Sequence, residues 1–269
     1  MAGAVVIIKF IKRILAGFQF LTIVPTPRSL YSDDATEIGK SSAWFSVTGL
    51  FIGVMSALVW FVAKKFLPAD VSCFLVIVVT ILLTGGLHLD GLSDTFDAIA
   101  ARGKSQEERL NIMKSGVSGP IGVAAMIVII FLKYLLLKNL TAQSAVSPLY
   151  ILTVFPIAGR FAATACLYLG KSAKEEGLGF VFISNTGLVE ILTCGVLTIF
   201  IASGANFIFN HISDPLNIIG PPVLTHTGVY IFSMFATAFL QGKFGGITGD
   251  HAGAIIEGGE IIFLLAYSC

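Results

Sequence analysis

The chain has 269 residues, of which 55% are hydrophobic and only 12% are charged. Soluble domains carry about 25% charged residues, so this composition excludes a soluble globular chain and a disordered one, and it indicates a polytopic membrane protein. The formal net charge is +1 and the sequence has no basic tract, which leaves no electrostatic basis for binding nucleic acid.

The first predicted element is a helix over residues 3–24, with Lys9, Lys12, Arg13 and Gln19 on one stripe. Because the rest of its surface is apolar, we expect this helix to lie in the membrane interface instead of crossing the bilayer. Apolar runs of about 20 residues then predict membrane spans. The seven predicted spans are residues 42–63, 71–87, 120–137, 148–169, 187–210, 223–240 and 253–268. The sequence therefore predicts an all-α bundle of membrane helices.

Basic residues indicate how this bundle is oriented. The stretches rich in Lys and Arg are residues 1–41, 88–119, 170–186 and 241–252. The loops between them hold only Lys64, Lys65 and Lys138. The positive-inside rule then places the N-terminus and the basic loops in the cytoplasm. We expect one membrane-embedded domain, in which residues 1–41 form the amphipathic helix and a cytoplasmic segment and residues 42–269 form the bundle.

The densest polar segment, residues 85–97, begins where a predicted span ends. It contains Asp90, Asp94 and Asp97 at i, i+4 and i+7, a spacing that places three carboxylates on one face of a helix. Such carboxylates repel one another unless a cation lies among them, and Mg²⁺ prefers oxygen ligands. The spacing therefore predicts a metal site, with a solvated acidic face as the simpler alternative. His88 is a candidate ligand, base or hydrogen-bonding residue.

Glycines and basic residues near these acids give a weaker indication of a phosphorylated substrate. We expect Gly85, Gly86 and Gly91 to interrupt the helix and to let a phosphate approach the backbone. Arg102 and Lys114 follow on a predicted amphipathic helix and could neutralise phosphate charge. Ordinary loop charge explains these two residues equally well.

Two further polar features lie later in the chain. Arg160 stands inside a predicted span, where a charged side chain is costly and indicates either a function or a structural ion pair. Residues 245–260 contain Asp250, Glu257 and Glu260, and the two glutamates fall in the membrane-embedded part. Buried glutamates need a partner, and a metal ion and Arg160 are the candidates.

Taken together, these motifs resemble the cobalamin synthase family, also called the adenosylcobinamide-GDP ribazoletransferases. The resemblance covers most of the chain. It is carried by residues 18–25, 86–97, 110–114, 159–160, 175–179 and 246–250, together with Glu257 and Glu260. The most specific parts are the His-x-Asp-Gly-Leu-x-Asp-x-x-Asp block at residues 88–97 and the Gly-Gly-x-Thr-Gly-Asp block at residues 245–250.

The resemblance implies an enzyme of the cytoplasmic membrane of a prokaryote, with the active site facing the cytoplasm. Its reaction would be the Mg²⁺-dependent joining of adenosylcobinamide-GDP to α-ribazole or α-ribazole 5′-phosphate, with release of GMP. This is the last step of nucleotide-loop assembly in cobalamin. We expect Asp90, Asp94 and His88 to be catalytic, Asp90, Asp94, Asp97, Asp250 and Glu257 to bind the metal, and Arg102, Lys114, Arg160, Gly245, Gly246, Thr248, Glu175 and Glu176 to bind substrate.

Two other kinds of membrane protein stay open. A CDP-alcohol phosphotransferase or a prenyltransferase would also use aspartates at the membrane edge, but the spacings DGxxAR…GxxxDxxxD and NDxxD do not occur in this sequence. A cation-coupled transporter would also carry buried acids, and it is expected to show internal repeats and acids at the midplane. No repeat is visible here and most acids fall on one predicted side, which favours the transferase.

Overall fold

The computed structural model describes residues 2–27, 31–32, 34–143 and 145–268, with side chains from residue 8 onward. These residues form twelve α-helices and one 3-10 helix. They contain no β-sheet, and a single parallel bridge joins Ser172 to Ile247. The predicted all-α fold class is confirmed.

The helix boundaries follow the predicted spans closely. In chain order the helices are α1 Ala2–Leu21, α2 Ala35–Gly39, α3 Phe45–Ala63, α4 Ala69–Thr84, α5 Leu87–Ala100, α6 Gln106–Lys114, α7 Pro120–Ala142, α8 Pro148–Leu169, α9 Leu178–Asn185, α10 Leu188–Asn210, α11 Pro215–Phe244 and α12 Gly249–Ala266. The 3-10 helix Lys40–Trp44 connects α2 to α3. Each predicted span thus corresponds to one helix.

Five helical segments among the described residues are long and apolar enough to cross a membrane. They are Ala35–Ala63, Pro120–Ala142, Pro148–Leu169, Leu188–Asn210 and Pro215–Phe244. A sixth results if α4 and α5, which meet at 89°, form one broken span. Helix α12 is not among these segments, because it carries three acidic residues, Asp250, Glu257 and Glu260. The multi-pass architecture is supported, whereas the count of seven spans is not confirmed.

Helix α8 occupies the centre of the bundle. All of its residues from Tyr150 to Leu167 are buried, and it packs against α3, α10, α11 and α12. Because neighbouring helices surround it, α8 does not face lipid along this stretch. Arg160 can therefore lie in the middle of an apolar helix without contacting hydrocarbon chains.

Two glycines produce the right-angled bend between α4 and α5. Gly85 has a φ of 62° and Gly86 a φ of 73°, a left-handed conformation that is costly for residues with a Cβ. Gly85 ends α4 and Gly86 directly precedes α5. The prediction that glycines interrupt the helix is confirmed at these two positions. It is wrong for Gly91, which lies within α5.

Helix α1 is connected to the bundle through its basic stripe. The Lys9 Nζ atom lies 3.0 Å from Glu37 Oε1, and Arg13 forms a second ion pair with the same carboxylate. The Phe10 ring packs edge-on against Trp44. The predicted helix is confirmed with an end at Leu21, and its position in the membrane interface stays a prediction.

Candidate active site

Helices α5 and α12 bring together the two acidic segments of the chain. A Cβ atom placed on Gly91 of α5 would lie 2.6 Å from the carbonyl oxygen of Asp250. A Cβ atom placed on Gly253 of α12 would lie 3.2 Å from the Cα atom of His88. The two helices approach this closely because each has a glycine at the crossing. The segments that contain Asp90 and Asp250 therefore belong to one site.

Four aspartates concentrate negative charge at this crossing. Burial and the charges of Asp90, Asp250 and Asp97 raise the pKa of Asp94 to about 6. Helix α5, which carries Asp94, lies outside the five spanning segments. Within the described part of the chain, the ion pairs of Lys and Arg all involve other acids. The cluster thus holds uncompensated negative charge, which suits a hard divalent cation.

Asp97 differs from the other three aspartates in its contacts. Its two carboxylate oxygens accept hydrogen bonds from the backbone N–H groups of Gly119, at 2.6 Å, and Gly122, at 2.8 Å. These amides lie at the start of α7, where N–H groups lack helical partners and the helix dipole favours an anion. Asp97 therefore joins α5 to α7.

The aspartates do not form a complete coordination shell as their side chains stand. No group of three or more His, Cys, Asp or Glu side chains in the described ranges is arranged to hold a metal ion. Asp90 is exposed, and Asp94 and Asp250 are half-buried. Their carboxylates are thus accessible from the surface of the bundle, where a hydrated cation and a substrate can approach.

A cleft of about 250 Å³ opens beside Asp250. We name it the α9 cleft, and its lining includes Lys174, Glu176, Phe180, Thr248 and Asp250. It combines one cation, two anions and an aromatic wall at the crossing of α5 and α12. Such a lining can bind a molecule that carries both phosphate and an aromatic base.

Backbone hydrogen bonds hold two walls of the α9 cleft together. The Ala173 N–H donates to the Ile247 carbonyl at 2.9 Å, and the Ile247 N–H donates to the Lys171 carbonyl at 2.7 Å. Gly246 is buried against the Ala173 backbone, and a Cβ atom there would lie 2.5 Å from the Ala173 nitrogen. The loop before α9 is thus fixed to the turn before α12.

The other residues near α9 and α12 that were predicted to bind substrate differ in whether they line the α9 cleft. Gly245 has a φ of 76° and ends α11, so it shapes the turn and does not line the cleft. Thr248 lines the cleft and caps α12, because its Oγ1 atom accepts the N–H of His251 at 3.4 Å. Glu176 also lines the cleft, whereas Glu175 is exposed outside it.

Next to the aspartates lies a buried network of charged side chains. The Lys133 Nζ atom lies 2.7 Å from Glu257 Oε2 and 2.6 Å from Glu260 Oε2. Arg160 donates through Nη1 to the other oxygen of Glu260, and its Nη2 atom lies 3.3 Å from His88 Nδ1. Two cations thus balance two anions, and all five side chains are buried. Because a guanidinium group only donates, His88 Nδ1 accepts and the ring proton is on Nε2.

This network accounts for several predicted site residues. Arg160 and a metal ion were the two candidate partners of the buried glutamates. Arg160 pairs with Glu260, whereas Glu257 pairs with Lys133. Lys133 lies in α7, and nothing in the sequence pattern pairs it with the two glutamates. His88 is only 3% exposed, and its ring faces Arg160. These contacts give Arg160, Glu257 and His88 structural partners inside the bundle.

Two basic residues have roles that spacing did not indicate. Arg109 is buried and donates through Nη1 to the carbonyl groups of Ala98 and Ile99, the latter at 3.0 Å. These carbonyls belong to the last turn of α5, where a cation satisfies groups that lack helical partners. Lys174 lines the α9 cleft, although nothing in the surrounding sequence marks it.

The two basic residues predicted to bind substrate lie elsewhere on the surface. Arg102 follows the end of α5 and Lys114 ends α6, and both side chains are exposed. Neither lines the α9 cleft. Their proposed contact with substrate stays a prediction.

The close crossing of α5 and α12 can be tested with an alanine. Gly91→Ala would place a methyl group against the Asp250 backbone, so we expect the helices to separate and transferase activity to fall by at least about 10-fold. Gly228→Ala in α11 is the control, because a Cβ atom there meets nothing within 4 Å. Activity of both variants in isolated membranes checks the expectation. Equal activity would mean that the crossing does not position the aspartates.

Comparison with known proteins identifies the family. The cobalamin-5-phosphate synthase family model matches residues 13–268. An adenosylcobinamide-GDP ribazoletransferase of Acetivibrio thermocellus is 36% identical over 262 residues, which cover 96% of this chain and 98% of the relative. The enzyme of the same name from Escherichia coli K12 is 32% identical over 253 residues, covering 93% and 97%.

A third relative of that name, from Fusobacterium nucleatum, is 29% identical over 272 residues. No solved structure matches the chain. The family match extends over both acidic segments and the helices that position them. The chain belongs to the cobalamin-5-phosphate synthase family and is a transferase of cobalamin biosynthesis.

Proposed function

We propose that this protein joins adenosylcobinamide-GDP to α-ribazole or its 5′-phosphate and releases GMP at the cytoplasmic face of a prokaryotic inner membrane. The names of its near full-length relatives support these substrates. The distribution of Lys and Arg supports the orientation. The observation that carries the proposal is the meeting of Asp90, Asp94 and Asp250 beside a cleft that also contains Lys174.

The uncompensated aspartates fit Mg²⁺. Asp90, Asp94 and Asp250 would hold it, while Asp97 is engaged by the amides of α7. Mg²⁺ keeps several waters and commonly binds one or two carboxylates plus substrate phosphates, so a shell completed only with substrate agrees with the present side-chain positions. When bound, the ion would neutralise charge on the diphosphate. Glu257 is assigned to the ion pair with Lys133 in this proposal.

The side chains of the α9 cleft would bind the nucleotide part of the donor. The Lys174 ammonium group can donate to phosphate oxygens, and the Glu176 carboxylate can accept hydrogen bonds from the N–H groups of guanine. Phe180 offers an apolar surface to the base. These residues bind and orient the donor, and the phosphates lie next to the aspartates.

The reaction is an attack of a ribose hydroxyl on phosphorus, with GMP as the leaving group. Such phosphoryl transfers depend mainly on positioning and on stabilising charge. The buried network supplies positioning, because Arg160 of α8 contacts both Glu260 of α12 and His88 of α5. In this proposal His88 and Arg160 act through the backbone of α5 and do not touch substrate.

The proposed function is tested by turnover in membranes that contain the expressed protein. With adenosylcobinamide-GDP, α-ribazole and Mg²⁺ we expect equal amounts of GMP and cobamide product, and no turnover after chelation of Mg²⁺. The same membranes with a CDP-alcohol donor are the control for another phosphotransferase. Nucleotide release only from the CDP-linked donor, or uptake into sealed vesicles without chemical change, would contradict the proposal.

A further inference from the structure

A second cleft, of about 620 Å³, opens at the first turn of α5, where that helix meets α1 and the end of α4. We name it the α1 cleft, and its lining includes Gln19, Thr84, Asp90 and Ser118. Leu87 lines both clefts. The α1 cleft therefore contains Asp90, the α9 cleft contains Asp250, and the two clefts adjoin at Leu87.

Two clefts that adjoin at Leu87 and each contain one aspartate suit the geometry of phosphoryl transfer. The attacking oxygen and the leaving oxygen lie roughly in line, on opposite sides of the phosphorus atom. The acceptor must therefore approach from the side opposite to the departing nucleotide. A phosphorus atom held at the aspartates, near Leu87, would have a separate cleft available for each of these two groups.

The two clefts differ in whether a cation lines them. The α9 cleft has Lys174 in its wall, together with Glu176 and Asp250. The described lining of the α1 cleft has Asp90 as its charged residue and otherwise consists of neutral polar and apolar side chains. Of the two described linings, that of the α9 cleft offers a cation to phosphate oxygens, so a nucleotide diphosphate is favoured there. The α1 cleft suits the nucleoside end of a substrate, which is an aromatic base joined to a sugar.

The polar atoms of the α1 cleft can bind sugar hydroxyl groups. Gln19 donates through Nε2 to Thr26 Oγ1 at 2.6 Å, which fixes the amide and directs its oxygen away from that bond. Among the hydrogen bonds of the described residues, none involves Gln19 Oε1 or Ser118 Oγ. Leu89 and Met126 supply an apolar wall for the base.

We propose that the α1 cleft is the acceptor subsite, which holds the ribose and base of α-ribazole, while the α9 cleft holds the guanosine end of the donor. This assignment rests on the proposed function. The acceptor hydroxyl forms the new O–P bond, and its proton passes to solvent. The P–O bond to GMP breaks, and GMP leaves with the bonding electron pair through the α9 cleft.

The assignment is tested by comparing Michaelis constants of variants on the two sides. Gln19→Leu removes the amide with little change in volume, and Ser118→Leu fills the α1 cleft from an exposed loop position. We expect each to raise KM for α-ribazole about 10-fold, the effect of one lost neutral hydrogen bond, with KM for adenosylcobinamide-GDP unchanged. Glu176→Gln in the α9 cleft should show the opposite pattern.

Several outcomes would overturn the assignment. A higher KM for the donor in Gln19→Leu and Ser118→Leu would exchange the two subsites, and unchanged constants in both would mean that the α1 cleft binds neither substrate. Binding of labelled α-ribazole to the same membranes keeps the test valid for a variant that no longer turns over. Parallel assays with α-ribazole 5′-phosphate show which acceptor the cleft prefers. Failure of the wild-type protein to release GMP would contradict the proposed function itself.

Discussion

Asp94→Asn should lower GMP release by at least about 100-fold while leaving the protein folded. Asparagine keeps the shape of the side chain but removes one charge from the cluster that would bind the metal, and loss of one group that stabilises transition-state charge costs about 10²–10³ in kcat. GMP release at a series of Mg²⁺ concentrations, in membranes with both substrates, measures the effect. A shift of the curve to higher Mg²⁺ would accompany the loss.

Although Asp94→Asn should lose activity, its stability should stay the same or increase. The folded protein raises the pKa of Asp94 from 3.8 to about 6, so ionisation of this carboxyl lowers stability as the pH rises through this range, and the whole loss persists at higher pH. In the absence of Mg²⁺ at pH 8, Asp94→Asn should therefore unfold at the same or a higher temperature than the wild type. A variant that is less active because it is less stable would show the reverse.

Asp70→Asn is the matched control. Asp70 lies in the first turn of α4, is exposed, and has its Oδ2 atom 3.0 Å from Lys138 Nζ. Neither cleft contains it, so its removal should leave GMP release unchanged. Near-normal turnover of Asp94→Asn, or an equal loss in both variants, would rule out the proposed metal site.

Lys133→Met should lower the free energy of unfolding by about 3–5 kcal/mol, the usual effect of removing one partner from a buried ion pair. Glu257 would lose its cation, and Glu260 would keep only Arg160. Lys133 and both glutamates are less than 10% exposed, so water cannot replace the missing charge. Unfolding of the purified protein in detergent, followed against temperature or denaturant, measures the change.

A second substitution tests whether charge balance is the cause. Lys133→Met combined with Glu257→Gln leaves one cation, Arg160, facing one anion, Glu260, so the double variant should recover more than half of the lost stability. Lys138→Met breaks the exposed pair with Asp70 and should cost at most about 1 kcal/mol. If the double variant is no more stable than Lys133→Met, lost packing explains the effect.

Apolar run length was sufficient to locate the helices. The predicted span 148–169 coincides with α8, and the predicted span 187–210 differs from α10 by one residue. A membrane-spanning helix satisfies its own backbone hydrogen bonds and needs a fixed length of apolar sequence. Such a helix can therefore be predicted from the residues of that stretch alone. Predicted spans and observed helices differ most at α11, where the helix Pro215–Phe244 extends beyond the predicted span 223–240 at both ends.

Spacing was also sufficient to place Asp90, Asp94 and Asp97 on one helix, but it could not show what each of them contacts. Asp97 binds amides of α7, a helix that begins more than 20 residues later in the chain. The difference between Asp97 and its two neighbours arises from the packing of α7 against α5. A local pattern contains no information about that packing.

By itself, the sequence determined that this is an all-α membrane protein, that residues 85–97 and 245–260 are its two acidic segments, and that these segments resemble those of one transferase family. Only the tertiary structure decided which charges meet. It placed Asp250 beside α5, Lys133 between two glutamates, and Lys174 in the wall of a cleft. The physical reason is that helix periodicity is set by neighbours along the chain, whereas the pairing of buried charges depends on which helices pack together.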